Sequence, residues 1–128
     1  MNIRLALLLT RDPHFENVVT EALKDIGAKV MTRHDVDHAL EVGCSRASQF
    51  DLAIIDRSDC HAITLLSALK ACRHDLPVVV VTSGDSFHCA ALAYANGANA
   101  CINKLAVPEE LKLFLNQLCE RKLELAVV

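Results

Sequence analysis

The chain has 128 residues, is 52% hydrophobic and carries a formal charge of -3, which suits one domain over residues 1–128 with a core large enough to fold without staples. Lys and Arg are scattered and aromatics are only 4%, so no basic, aromatic-interleaved surface for nucleic acid is present. The longest apolar runs have strand length, far short of the roughly 20 residues that span a bilayer.

Ile3 to Leu9 reads as a first strand. A basic residue precedes this apolar run, but the polar turn Thr10-Arg11-Asp12-Pro13 follows without a small-residue cleavage site, so a buried strand is expected rather than a signal peptide, and a cytoplasmic location with it. Asp12 followed by Pro13 is a helix start, an N-cap carboxylate and then proline at the first helical position. Phe15, Val18, Val19, Ala22 and Leu23 recur at helical spacing up to Gly27, a residue suited to the left-handed C-terminal position. Ala28 to Thr32 is a short second strand, and a second helix runs from about Asp35 to Ser48.

The third strand, Phe50-Asp51-Leu52-Ala53-Ile54-Ile55-Asp56, is apolar enough to be buried on both faces and then ends in a carboxylate. Continuous apolar strands belong to parallel sheets covered by helices, and ligands bind outside the carboxyl ends of such strands. A third helix, from about Cys60 to Arg73, carries Ile63, Leu65, Leu66 and Leu69. Pro77 opens a β-branched fourth strand, Val78-Val79-Val80-Val81, which ends in the polar loop Thr82-Ser83-Gly84-Asp85. A fourth helix runs to Gly97, a short fifth strand covers about Asn99 to Asn103, and Pro108-Glu109-Glu110 starts a last helix. Its Leu111, Phe114, Leu115 and Leu118 form an apolar stripe.

Five alternating units predict a (βα)5, flavodoxin-like α/β fold: a parallel sheet of order 2-1-3-4-5 with helices on both faces. That order brings Thr10, Arg11 and Asp12, after strand one, to the rim near Asp56, with Thr82 and Lys104 closing strands four and five. None of the six cysteines forms a CxxC pair, so reduced thiols are expected rather than disulfides or a metal site. The histidines have polar neighbours and no convincing catalytic partner, so the chain does not read as an enzyme.

Asp56 ending strand three, Thr82 ending the valine strand and Lys104 after Gly97-Ala98-Asn99-Ala100-Cys101-Ile102-Asn103 together resemble the receiver domain of bacterial two-component response regulators, over essentially the whole chain. The resemblance implies that Asp56 accepts a phosphoryl group from a histidine kinase or phosphotransfer protein. Thr82 would be the switch hydroxyl, Lys104 the phosphate contact, and a downstream effector the reader of the signal. A carboxylate is a competent nucleophile toward phosphorus, and ammonium and hydroxyl groups stabilise developing oxyanions.

The departures are as specific as the matches. The family ends strand one with an acidic pair that binds Mg2+, whereas this chain has Thr10-Arg11 there and only Asp12, the helix cap, as a further acidic candidate for the metal. Two readings of Arg11 stand: its guanidinium fills the space of the metal beside Asp56, or it points to solvent. Arg57-Ser58-Asp59-Cys60-His61 lacks the family's Met-Pro and Asp-Gly pieces, Cys101 replaces the aromatic switch residue, and Leu105 replaces the proline after the lysine.

The fourth helix, Ser86 to Asn96, is apolar nearly all round, and Leu113 lies outside the core stripe of the fifth. Leu92, Tyr94 and Leu113 therefore mark a contact surface, expected to be a homodimer or partner-docking face built from helix four, strand five and helix five. Three functions remain: a phosphorylatable receiver, a phosphorylation-independent pseudo-receiver that acts by contact, and a small-ligand-binding flavodoxin-like domain. The last is disfavoured by the lack of a Gly-rich loop after strand one.

Overall fold

The inner strands of this chain are apolar on both sides because each is covered on both sides. The computed structural model describes residues 2–56, 60–83 and 87–127, and within these the side chains of all but 60, 87, 88 and 119–127. Five strands, β1 (Leu5–Leu9), β2 (Lys29–Arg33), β3 (Leu52–Asp56), β4 (Val78–Thr82) and β5 (Ala100–Asn103), alternate with five helices, α1 (Pro13–Lys24), α2 (Val36–Ser45), α3 (Cys60–Cys72), α4 (Phe87–Ala95) and α5 (Glu109–Val127). The sheet is parallel throughout, in the expected order β2-β1-β3-β4-β5.

Alternate residues of each inner strand go to opposite layers. Ala6, Leu8, Leu52, Ile54, Val79 and Val81 pack under Phe15, Val19 and Leu23 of α1 and Leu111, Leu115 and Leu118 of α5. Leu7, Leu9, Ala53, Ile55, Val78 and Val80 pack under Ala39 of α2, Leu65, Leu66 and Leu69 of α3, and Ala93 of α4. Each fully buried Leu or Ile stabilises the fold by about 1.5–3 kcal/mol relative to exposure, so this two-sided burial is what holds the strand ends in register.

Local chemistry sets where elements stop. Asp12 caps α1 by accepting from the His14 and Phe15 amides, and Gly27 adopts φ 78°, the left-handed conformation a glycine takes at little cost. The second helix ends at Ser45 rather than Ser48: Ser45 Oγ donates back to the Glu41 carbonyl, 2.7 Å away, and a short 3-10 turn, Ala47–Gln49, follows. The third strand begins at Leu52 rather than Phe50, because Asp51 turns its carboxylate onto the Arg4 and Leu5 amides at 2.8 and 3.2 Å. Among the described residues, no helix is long and apolar enough to cross a membrane.

Candidate functional site

The register carries the site. Leu9 pairs with Ile55, so the next residues, Thr10 and Asp56, come side by side at the carboxyl rim. Thr10 is buried, and its Oγ1 donates to Asp56 Oδ2 at 2.7 Å while accepting from the Asp12 amide at 3.1 Å. From the other side of the sheet, Lys104 stands at the start of a 3-10 turn that directly follows β5. Asn103 pins that turn by accepting from the Leu105 amide at 2.9 Å. Lys104 Nζ donates to the same Asp56 Oδ2 at 2.9 Å and contacts Asp12 Oδ2 at 3.0 Å. The ammonium also lies 5.0 Å from the centre of the Phe15 ring, whose face attracts a cation.

A single lysine thus bridges two carboxylates, one of which also accepts from a buried hydroxyl on the same oxygen. The side chain of Asp56 is only 11% exposed, so the bridge lies in a partly dry environment where a charged hydrogen bond is strong. Partial burial pulls the Lys104 ammonium down, but hydrogen bonds to Asp56 and then Asp12 outweigh it, and its pKa rests above the ordinary lysine value. Asp12 is held below the ordinary carboxylate value, first by the hydrogen bond from Lys104 and next by the Phe15 amide.

Asp12 therefore does two jobs, one with each oxygen: Oδ1 caps α1 and Oδ2 faces Lys104. Arg11 corrects one reading of the sequence, because the guanidinium does not occupy the space beside Asp56. Its Nε donates to the His34 carbonyl at 2.9 Å, on the outer side of the rim where β1 neighbours β2. The reason is geometric: the residue after buried Thr10 points the opposite way, and His34, whose ring Nδ1 lies 3.0 Å from the Thr10 carbonyl, gives it an acceptor there. Thr82 is buried at the end of β4, and its hydroxyl engages the Cys101 thiol, which burial and nearby Cys89 push up in pKa and this contact holds down.

The described residues after β1 offer a magnesium ion little of the carboxylate set it favours. A hard dication takes several oxygen ligands, carboxylates foremost. Here the two rim positions after β1 hold a buried hydroxyl already bonded to Asp56 and an arginine, and both oxygens of Asp12 are engaged. Among the described residues no group of three His, Cys, Asp or Glu side chains is placed to hold a metal. Residues 57–59, the first of the departures expected after Asp56, and residues 84–86 lie outside the described residues.

On the α4, β5 and α5 side, Leu92, Tyr94 and Leu113 are exposed. Tyr94 is partly committed, since its hydroxyl accepts from the Cys101 amide at 3.0 Å on the open edge of β5. Leu105, which the periodicity did not single out as a surface residue, is 90% exposed. His34, expected only as a surface histidine with polar neighbours, is exposed, and the adjacency of β1 and β2 is what places it beside Thr10.

Comparison with solved structures settles the architecture. The chain superposes on a CheY-like response regulator receiver domain from Methanospirillum hungatei with a TM-score of 0.80 at 22% identity, covering 95% of this chain and 98% of that one. The fold is that of a response-regulator receiver. A receiver domain from Clostridium thermocellum gives a TM-score of 0.82 at 19% identity, over 96% and 99% of the two chains. NtrX from Brucella abortus gives 0.80 at 26% identity over 96% of this chain but only 29% of its own length. No protein-family model and no curated protein matches the chain. In this fold Asp56 stands at the carboxyl end of the central strand with the Lys104 ammonium on its carboxylate.

Proposed function

We propose that this chain is a two-component-type receiver module that signals by protein contact, with an Asp56 pocket held in one state by Lys104 and Thr10 rather than set by magnesium-dependent phosphorylation. The observation that carries the reading is the bridge itself: one ammonium spans Asp56 and Asp12 while the Thr10 hydroxyl donates to the same Asp56 oxygen. Metal and cationic clamps supply much of the catalysis of phosphoryl transfer. This pocket keeps the lysine and replaces the acids that would bind the metal with Thr10 and Arg11. Incubation with acetyl phosphate and magnesium, read by intact mass, is expected to leave the chain unmodified. Stoichiometric phosphorylation that disappears in Asp56→Asn would overturn the reading in favour of a phosphorylatable receiver served by a histidine kinase.

The contact face in this proposal is the α4, β5 and α5 side, where Leu92, Tyr94, Leu105 and Leu113 are exposed, and its occupant is a second copy of the chain. Large apolar side chains on one side of a domain mark an association surface, and a two-fold pairing makes the patch its own partner. Sedimentation velocity is expected to show a dimer that Leu113→Glu weakens at least tenfold. A wild type that stays monomeric at high concentration removes the homodimer from the proposal.

A further inference from the structure

Away from the rim site, two cysteines lie on the packed ends of neighbouring helices at the opposite end of the molecule. Cys44 is the next-to-last residue of α2 and Cys72 the last of α3. The two helices touch here: a β-carbon on Gly43 would sit 2.5 Å from Leu69 Cδ2, so only the missing side chain lets the backbone of α2 come so close. Just past the cysteines the segments are tied again, because the Arg73 guanidinium donates to the carbonyls of Ala47, at 3.0 Å, and Phe50. These two ties bracket Cys44, which is partly buried, and Cys72, which is exposed, and bring them near enough for Cys72 to help push the Cys44 thiol up in pKa.

We propose that Cys44 and Cys72 form a reversible redox-modification site, closing to a disulfide that staples α2 to α3. Both are free thiols in this structure. The oxidant class is a low-molecular-weight disulfide such as glutathione disulfide. The exposed Cys72 loses its proton and its sulfur attacks one sulfur of the oxidant, expelling a glutathione thiolate and leaving a mixed disulfide. Cys44 then gives up its proton and attacks the Cys72 sulfur, expelling the second glutathione thiolate. Two protein thiols are oxidised and one small disulfide is reduced to two thiols. Cys72 goes first because it is exposed, while the Cys44 thiol is pushed up to about 11 by burial and then by Cys72 itself. No side chain of the Thr10, Asp56 and Lys104 network takes part, so this site is independent of the reading of Asp56.

The test is equilibration of the folded chain in glutathione buffers of increasing disulfide fraction, with acid quench, alkylation and peptide mapping. The expected result is loss of two of the six alkylatable thiols and appearance of a peptide linking Cys44 to Cys72. Cys44→Ser is expected to stop at glutathione attached to Cys72, and Cys72→Ser to give no linked peptide. Should Cys44→Ser fail to fold, Cys72→Ser, at an exposed position, tests the linkage alone. The proposal is overturned if both thiols stay alkylatable at every buffer composition, or if the linked peptides join other cysteines instead.

Discussion

The two rims of the sheet use polar side chains in opposite ways. At the amino rim most of them end on backbone: Asp51 accepts from the Arg4 and Leu5 amides, Lys70 donates to the Leu76 carbonyl at 2.6 Å, Arg73 donates to Ala47 and Phe50, and Asn99 accepts from the Val78 amide at 3.0 Å. At the carboxyl rim the central bonds run between side chains, from Thr10 to Asp56 to Lys104 to Asp12. A side chain that satisfies backbone closes a gap left by strand and helix ends, where an unpaired buried group is costly. Side chains that satisfy one another hold charge in a chosen place, which is what a site requires.

That contrast is open to breakage. The largest effect is expected at the amino rim, where Arg73→Ala leaves two part-buried carbonyls unpaired and should cost about 3 kcal/mol of unfolding free energy. Amide and side-chain NMR shifts of Thr10, Asp56 and Lys104 should stay as in wild type. A loss under about 0.5 kcal/mol, within the range of ordinary surface substitutions, would mean that this rim is not the structural one.

Lys104→Met should cost less, about 2 kcal/mol, because the lysine is partly exposed and Thr10 still holds Asp56. It should also shift the resonances of Thr10, Asp56 and Asp12 together. The same pair predicts the pH profile. Asp12 has a lowered folded pKa, so its contribution is present above the unfolded carboxylate value and is lost as pH falls through the folded one. Lys104 has a raised folded pKa, so its contribution is present below the unfolded lysine value and is lost as pH rises through the folded one. The stability difference between wild type and Lys104→Met should therefore be flat between about pH 5 and 10 and shrink on either side. A difference that grows toward acid would contradict the bridge.

Much of this was legible in the sequence, for identifiable reasons. Continuous apolar strands between amphipathic helices specify the parallel sheet, and the order then places Asp56, Thr82 and Lys104 by their positions at strand ends. Asp12 and Pro13 announced the cap. What escaped was direction. Asp12 shares its two oxygens between helix and lysine, and Arg11 turns outward to the His34 carbonyl. Neither follows from spacing, because strand order places a residue at the rim without fixing which way its side chain turns there. The nearness of Cys44 and Cys72 was hidden because 28 positions separate residues that helix packing at Gly43 brings together.

A magnesium titration by calorimetry tests most directly the proposal that Thr10 and Arg11 leave the Asp56 pocket without a magnesium site. The wild-type chain should give no binding heat at physiological magnesium concentrations, whereas the double variant Thr10→Asp with Arg11→Asp, which restores two rim acids, should bind the ion. Saturable wild-type binding that Asp56→Asn abolishes would contradict the account.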